Sequence, residues 1–425
     1  MRILIYSYNY DPEPIGIAPL MTELAEGLVQ RGHQVRVVTG MPNYPQRQIY
    51  EGYRNRIYLT EERNGVTIQR CYVWIRPKPS FMDRVLLEGS FVVTSAIQAL
   101  KGWQPDVILL TVPPLSACVP ATLLARWNRC PVVLNLQDIL PDAAVQTELL
   151  RNRALIRTFE RLERFAYEHS TKISVIAEGF VKNLRAKAVP EDKLELIPNW
   201  VDVNFIRPLP RPESHFRAEH RLEGKFVALY SGNIALTQGL ETAVYAAREL
   251  KDRNFRDIAI VIVGEGRALE RLQRLRKRYE VEQEVLLLPF QPREKLPDML
   301  SAANVGLVSQ KHNVISFNMP SKIPVLLASG RAIVASVPLS GTAAKAVKDS
   351  EGGIVVPPEE PTLLANTLQN LYYNPEKVDA LARQGRQYAV EHYSFDNALN
   401  QYEALFQSLV SPTVPTAEVA PESSQ

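Results

Sequence analysis

Several short stretches join residue types that handle phosphates, hydroxyls or protons. Ala228-Leu229-Tyr230-Ser231-Gly232-Asn233 leads through Gln238-Gly239 into helical spacing from Leu240. A buried strand, a glycine loop and a helix start suit a phosphate or diphosphate, because backbone N–H groups there are left unpaired for an anion. Ile258–Val263 runs into Gly264-Glu265-Gly266, two glycines of a dinucleotide fingerprint whose third position is Leu269. A nicotinamide-dependent oxidoreductase is therefore one reading of that turn. Glu265 could meet a ligand or sit at a helix N-terminus. Asn318-Met319-Pro320-Ser321-Lys322 precedes the apolar Ile323–Ala328. Small polar groups at a helix start can bind hydroxyls or phosphates, and Lys322 could supply charge to a leaving group or be a solvated first-turn residue.

The first half carries its own candidates. Asp11-Pro12-Glu13-Pro14-Ile15-Gly16 follows the first apolar run. Gly16 would let backbone approach a ligand ahead of a helix N-terminus, or simply shape a proline-rich turn. Gln137-Asp138-Ile139-Leu140-Pro141-Asp142 follows another buried run, so both carboxylates fall at a strand's carboxyl end. There they could orient acceptor hydroxyls or act as acid and base, while helix capping competes for Asp142. Gly32 is a C-cap candidate, and His33 reads as a packing residue.

These groups need a scaffold that holds strand ends together. Apolar runs without polar alternation recur at Ile3–Tyr6, Val35–Thr39, Val107–Leu110, Val132–Leu136, Ile173–Ile176, Phe226–Ser231, Ile258–Val263, Val285–Leu288, Val305–Ser309 and Ala332–Ser336. Strands buried on both faces look like this. Helical spacings between them, such as Leu20, Leu24 and Leu28, imply parallel sheets covered by helices. The alternation stops near Ile197-Pro198-Asn199-Trp200-Val201-Asp202 and restarts at Phe226. The expected organisation is α/β: residues 1–200 as one Rossmann-like domain, 201–385 as a second, a C-terminal helix over 386–410 returning to the first, and a disordered tail over 411–425. A cleft is expected at the carboxyl ends of the strands.

Composition narrows the class. With 425 residues, 49 Lys+Arg and 46 Asp+Glu, the formal charge of +3 is too balanced for a protein that binds nucleic acid mainly through phosphates. The excess lies before Phe205, where 24 basic residues face 21 acidic ones. Cys71, Cys118 and Cys130 lack paired metal-ligand spacing, which argues for reduced thiols, a cytoplasmic setting and no metal. The N-terminus reads as a first strand rather than a signal peptide. Val107–Ala125 is uncharged, but Pro113, Pro114 and Pro120 make it a βα unit rather than a membrane span. Arg153, Arg157, Arg161 and Arg164 share a helical face, with Arg151 nearby, and could hold anionic lipid phosphates. Phe81–Leu100, with Met82, Val85, Leu86 and Leu87, could rest on a bilayer surface or be an ordinary core helix.

Taken in order, Gly16, Arg31-Gly32-His33, Ile197-Pro198-Asn199-Trp200-Val201-Asp202, Ser231-Gly232-Asn233 with Gln238-Gly239, Val263-Gly264-Glu265-Gly266 and Pro320-Ser321-Lys322 through Gly330 resemble glycosyltransferase family 4. The likeness covers about residues 1–405 and is greatest to transferases of aminosugars for colanic-acid, capsular or O-antigen polysaccharides. It implies the GT-B fold, two Rossmann-like domains whose parallel sheets face a central cleft. It also implies a UDP-sugar donor held mainly by the second domain, retention of anomeric configuration, and no cofactor or metal. The partners implied are a nucleotide sugar and a lipid-linked or saccharide acceptor, with peripheral contact to an anionic membrane as a further expectation.

By position, Ser231, Gly232, Asn233, Gln238 and Gly239 would approach the donor diphosphate. Gly264 and Glu265 would lie near the nucleotide, and Pro289-Phe290 would border the base. Asn318, Ser321 and Lys322 would face the sugar or diphosphate, and Gly16 and Asp138 the acceptor. Four positions depart from the family pattern. Phe317 and Val325 replace two glutamates with seven residues between them, Gln238 replaces a basic residue, and Gln137 replaces a histidine. These departures make Lys322 the more important cation and leave a non-catalytic sugar-nucleotide-binding subunit as a third reading.

Overall fold

The computed structural model describes residues 1–14, 16–100, 102–140, 142, 152–210, 214–314, 317 and 319–410. Its strands are β1 (Arg2–Tyr6), β2 (Gln34–Gly40), β3 (Tyr58–Arg63), β4 (Val66–Cys71), β5 (Val107–Val112), β6 (Val132–Leu136), β7 (Lys172–Val175), β8 (Leu194–Leu196), β9 (Phe226–Ser231), β10 (Ile258–Val263), β11 (Val285–Leu288), β12 (Val305–Ser309), β13 (Ala332–Ser336) and β14 (Gly353–Val356). They form two sheets, ordered β3-β4-β2-β1-β5-β6-β7-β8 and β11-β10-β9-β12-β13-β14. All ten apolar runs fall on strands of these sheets, Ile173–Ile176 running one residue past the end of β7.

By density of contacts the chain divides into two compact units. One is Met1–Ser174 together with the segment starting at Leu399, and the other is Val175–Ala398. The helix Glu178–Ala186 packs within the second unit, where Phe180 meets Phe317 edge-on at 5.6 Å and Lys345 pairs with Glu178 at 3.5 Å. The expected tail over 411–425 lies outside the described residues.

In the first unit β1 pairs in parallel with β2 and β5, while β3 runs antiparallel to β4 around Asn64-Gly65. Both turn residues have positive φ, 49° and 79°. The strand order reverses direction at β1 and β5, and in such sheets that switch point is where loops diverge and leave room for a ligand. The helix Ile17–Gln30 follows β1 and starts at Gly16. The segment Val107–Ala125 is β5 followed by the start of the helix Cys118–Asn128, and among the described residues no helix is long and apolar enough to cross a membrane. The last helix, Phe395–Val410, enters this unit's core: Asn135 Nδ2 donates to Tyr402 Oη at 2.8 Å, and Arg31 and His33 both reach Glu403. His33 thus joins the packing, as expected.

In the second unit the sheet pairs are parallel and covered on both faces. Val227, Leu229, Val261 and Ile333 enter one core, while Ala228, Tyr230, Ile260 and Val334 enter the other, as the two-residue period of a strand requires. This sheet reverses direction between β9 and β12.

Candidate functional site

The carboxyl ends of β9, β10 and β11 gather most of the second-half candidates. Ser231 stands in register with Val263, and Gly232 N–H donates to Val263 O at 3.0 Å. Gly264 N–H donates in turn to Leu288 O at 3.0 Å, tying the end of β11 to the same rim. The two glycine loops then touch. A Cβ on Gly264, whose φ is +146°, would lie 2.0 Å from Gly232 O. One on Gly266 would lie 2.7 Å from Asn233 Oδ1 and 2.4 Å from Ile234 O. Ile234 N–H donates to Glu265 O, and Ala268 N–H to Ile234 O, so the loops are stitched along their length. The glycines of Gly264-Glu265-Gly266 are explained by this backbone apposition, without a dinucleotide between them. The Glu265 side chain is exposed.

Lys322 opens the helix Lys322–Ala328 and sits over this rim. Its Nζ lies 4.1 Å from the centre of the Tyr230 ring and 3.5 Å from where a Cβ of Gly232 would be. Among the described residues no carboxylate pairs with it. Burial pushes its amine down to about 8. A cation over an aromatic face beside a glycine backbone, with no anion to neutralise it among the described residues, is equipped to receive an external anion. Tyr230 is held by its own hydroxyl, which donates to Asn233 O at 2.7 Å. Tyr230 was legible in sequence only as a strand residue, and its support of Lys322 needed the strand's facing.

The rest of the rim is built around Gly239. This residue adopts a left-handed conformation (φ +60°) after the short turn Leu236–Gln238, and a Cβ there would lie 3.0 Å from Lys311 Cγ. Lys311 N–H donates to Thr237 O at 2.9 Å, joining the loops after β9 and β12 at the switch point. Gln238 Oε1 and Gln310 Nε2 are buried without a hydrogen-bond partner among the described residues. Pro289 and Phe290 are exposed after β11, Phe290 at 65 %, so an aromatic face is presented to solvent. Ser321 is exposed at the helix start and makes no capping bond. Asn318 lies outside the described residues. Phe317 is buried against Phe180 and Val325 packs on the core, so neither stands in for a glutamate as a ligand group.

The first-half candidates occupy the other unit. Gly16 has φ +75°, and nothing lies within 4 Å of where its Cβ would be. Asp138 is half-buried after β6; its Oδ1 accepts from Ile139 N–H at 2.9 Å, and burial raises its carboxyl above the ordinary range. Such a group can hold a proton more readily than a solvated aspartate. Asp142 is described only at the start of a segment that lies outside the described residues.

Glu13 lies in the loop Asp11–Gly16, and its type and spacing alone assign it no chemistry. It is buried, its Oε1 accepts from Asn43 N–H at 2.7 Å and Tyr44 N–H at 2.8 Å, and Asn9 Nδ2 donates to its other oxygen. It therefore sets the loop that ends in Gly16. Burial raises its carboxyl although all three hydrogen bonds oppose the shift. The signal available in sequence was a carboxylate between two prolines directly after a buried strand.

Comparison with known proteins gives this geometry a family. Residues 16–200 match the model of a glycosyl transferase 4-like domain, and residues 212–388 match that of glycosyl transferases group 1. WcaI of Escherichia coli strain K12, named for glycosyl transfer in colanic acid biosynthesis, is 32% identical over 337 residues, spanning 78% of this chain and 82% of its own. The sucrose-phosphate synthase of Thermosynechococcus elongatus shares the fold with a TM-score of 0.73 at 18% identity, over 96% of this chain and 98% of its own. HepE of Anabaena, solved in complex with UDP, does so with a TM-score of 0.71 at 17% identity, over 96% and 100%. Both family models are of glycosyl transferases, and neither supports an oxidoreductase.

Proposed function

Since the chain belongs to family 4 of the glycosyltransferases, with the GT-B fold, it is an enzyme that needs a sugar donor and an acceptor, and we propose that it moves an N-acetylhexosamine from a UDP-sugar to a lipid-linked or saccharide acceptor, with retention of configuration, on the cytoplasmic side during synthesis of a cell-surface polysaccharide. The observation that carries the donor half is Lys322, an amine over Tyr230 at the Gly232 backbone with no carboxylate partner among the described residues. The UDP reading is supported by HepE, solved with that nucleotide, and the polysaccharide reading by the name of WcaI. The hexosamine reading rests on the resemblance drawn from the sequence.

In this reading the donor diphosphate lies against Gly232 and Lys322, the base against Phe290, and the acceptor in the first unit near Gly16 and Asp138. The bond between the sugar's anomeric carbon and the β-phosphate oxygen breaks, leaving charge on UDP. Lys322 and the loop N–H groups stabilise that charge as it develops. The acceptor hydroxyl forms its new bond to the anomeric carbon on the face the phosphate leaves, and its proton passes to the departing phosphate oxygen. No redox cofactor or metal takes part in these steps.

The test is a binding and turnover panel of UDP-, GDP- and dTDP-sugars on purified protein, followed by assignment of the product anomer by NMR. Tight binding and slow hydrolysis of a UDP-N-acetylhexosamine, with the α or β configuration kept on transfer, is expected. NADH binding in the micromolar range without UDP-sugar binding would overturn the assignment, as would binding with neither hydrolysis nor transfer.

A further inference from the structure

The helix Phe81–Ala99 carries an apolar stripe that the described residues leave exposed. Met82, Leu86, Val93, Ile97 and Leu100 are all exposed and, at 100° per residue, fall within about 60° of arc. The same helix buries Phe91, Ser95 and Gln98 on its opposite side, so its core packing is already satisfied. The helix Cys118–Asn128 lies beside it in the same unit and continues the pattern with Val119, Leu123 and Trp127, the last two 61 % and 80 % exposed. Scattered apolar residues on a surface are ordinary, but a stripe extended across two neighbouring helices is not.

The charge around these helices selects the occupant. Asp83 caps its own helix at Ser80 and accepts from Trp74 Nε1, Glu88 is half-buried, and the helix Cys118–Asn128 contains no carboxylate. Arg126, on the exposed face of that helix, and Arg129, at its end, are exposed and make no ion pair among the described residues. The neighbouring helix Arg153–His169 adds Arg153, Arg157, Arg161 and Arg164, exposed on one face and likewise without an ion pair among the described residues. Arg151 lies outside the described residues.

We propose that this three-helix surface docks the first unit on an anionic lipid bilayer. Met82, Leu86, Leu123 and Trp127 enter the headgroup and upper acyl region while the arginines hold lipid phosphates. Apolar anchors with a tryptophan at the boundary and cations at their margin are the chemistry of an interfacial contact, which neither a neutral micelle nor a water-filled groove rewards in the same way. Docking by this surface requires neither the proposed donor nor the proposed reaction.

The experiment is vesicle flotation of the full chain with phosphatidylcholine alone and with phosphatidylcholine containing 30 mol% phosphatidylglycerol, at low and high salt. The wild type is expected to float at least about tenfold more with anionic vesicles at low salt, a preference that high salt reduces. L123E/W127E, which changes only exposed side chains, is expected to lose flotation while keeping the wild-type Tm and any donor hydrolysis. R157E/R161E is expected to lose the anionic preference. Equal recovery with neutral and anionic vesicles at low salt overturns the proposal. So does wild-type flotation by L123E/W127E, or a stable dimer by light scattering that this variant splits and that does not float.

Discussion

Replacing Lys322 by alanine removes the cation that faces the Gly232 backbone. Its Nζ is 3.5 Å from the position a Gly232 Cβ would take, so a phosphate oxygen touching that backbone stands about 4 Å from the amine. Two unit charges at about 4 Å attract by about 4 kcal/mol at an effective dielectric of about 20, which is about a thousandfold in rate or affinity. Single-turnover and steady-state assays on the UDP-sugar should therefore show kcat/KM falling by 10²- to 10³-fold in Lys322→Ala, the range about expected for losing one group that stabilises developing charge. The pH dependence gives an independent check. Burial sets the amine near 8, so it is charged below that pH and neutral above it. In the wild type kcat/KM should hold below pH 8 and then drop about tenfold per unit. Lys322→Ala should lack that drop, and Lys322→Arg should move it out of range because a guanidinium stays protonated. Near-wild-type turnover by Lys322→Ala, or an alkaline drop that survives in it, would refute the assignment.

Other perturbations test the scaffold around the site. Gly264→Ala places a methyl 2.0 Å from Gly232 O on a backbone of φ +146°, and calorimetry should show Tm lower by roughly 2–10 °C, with a weakened donor KM because the displaced loop carries Gly232. Glu13 has its carboxyl raised in the fold, so the charged form costs stability as pH rises and the cost is relieved as pH falls. Glu13→Gln should accordingly gain Tm relative to wild type more at pH 7.5 than at pH 5, by thermal denaturation across pH; the opposite trend would place the burden elsewhere. Phe290→Ala should leave Tm unchanged, since the ring is exposed, yet raise the donor KM about tenfold if a base stacks there.

The strands buried on both faces announced themselves because nothing but apolar residues survives there. The missed strands are those with little to bury. Tyr58–Arg63 is an edge strand reading Tyr-Leu-Thr-Glu-Glu-Arg, and Leu194–Leu196 is three residues long. Gly353–Val356 opens on a glycine that packs within 2.3 Å of Ile333 O at its would-be Cβ. Asn64-Gly65 was a hairpin signal in plain view, with β4 hidden by Gln69 and Arg70, both buried. At the site, the glycines were legible as glycines, but that Gly264 fits against Gly232 depends on strand register. Lys322 was legible as a cation, and its place over Tyr230 with no carboxylate beside it among the described residues was not. Glu13 escaped because its three donors come from Asn9, Asn43 and Tyr44, up to 31 positions away.

The return of the last helix to Asn135, Arg31 and His33 makes the second unit an insertion in the first, entered near Val175 and left near Ala398. Donor exchange by grafting is thereby a two-cut operation. A chimaera joined once, near residue 200, would import a foreign final helix and ask it to supply equivalents of Tyr402 and Glu403 to this protein's own β6 and first helix. Keeping residues 399–410 native while replacing 197–398, which also leaves β7 and β8 in the first sheet, preserves that lock, and whatever specificity then changes can be credited to the grafted segment.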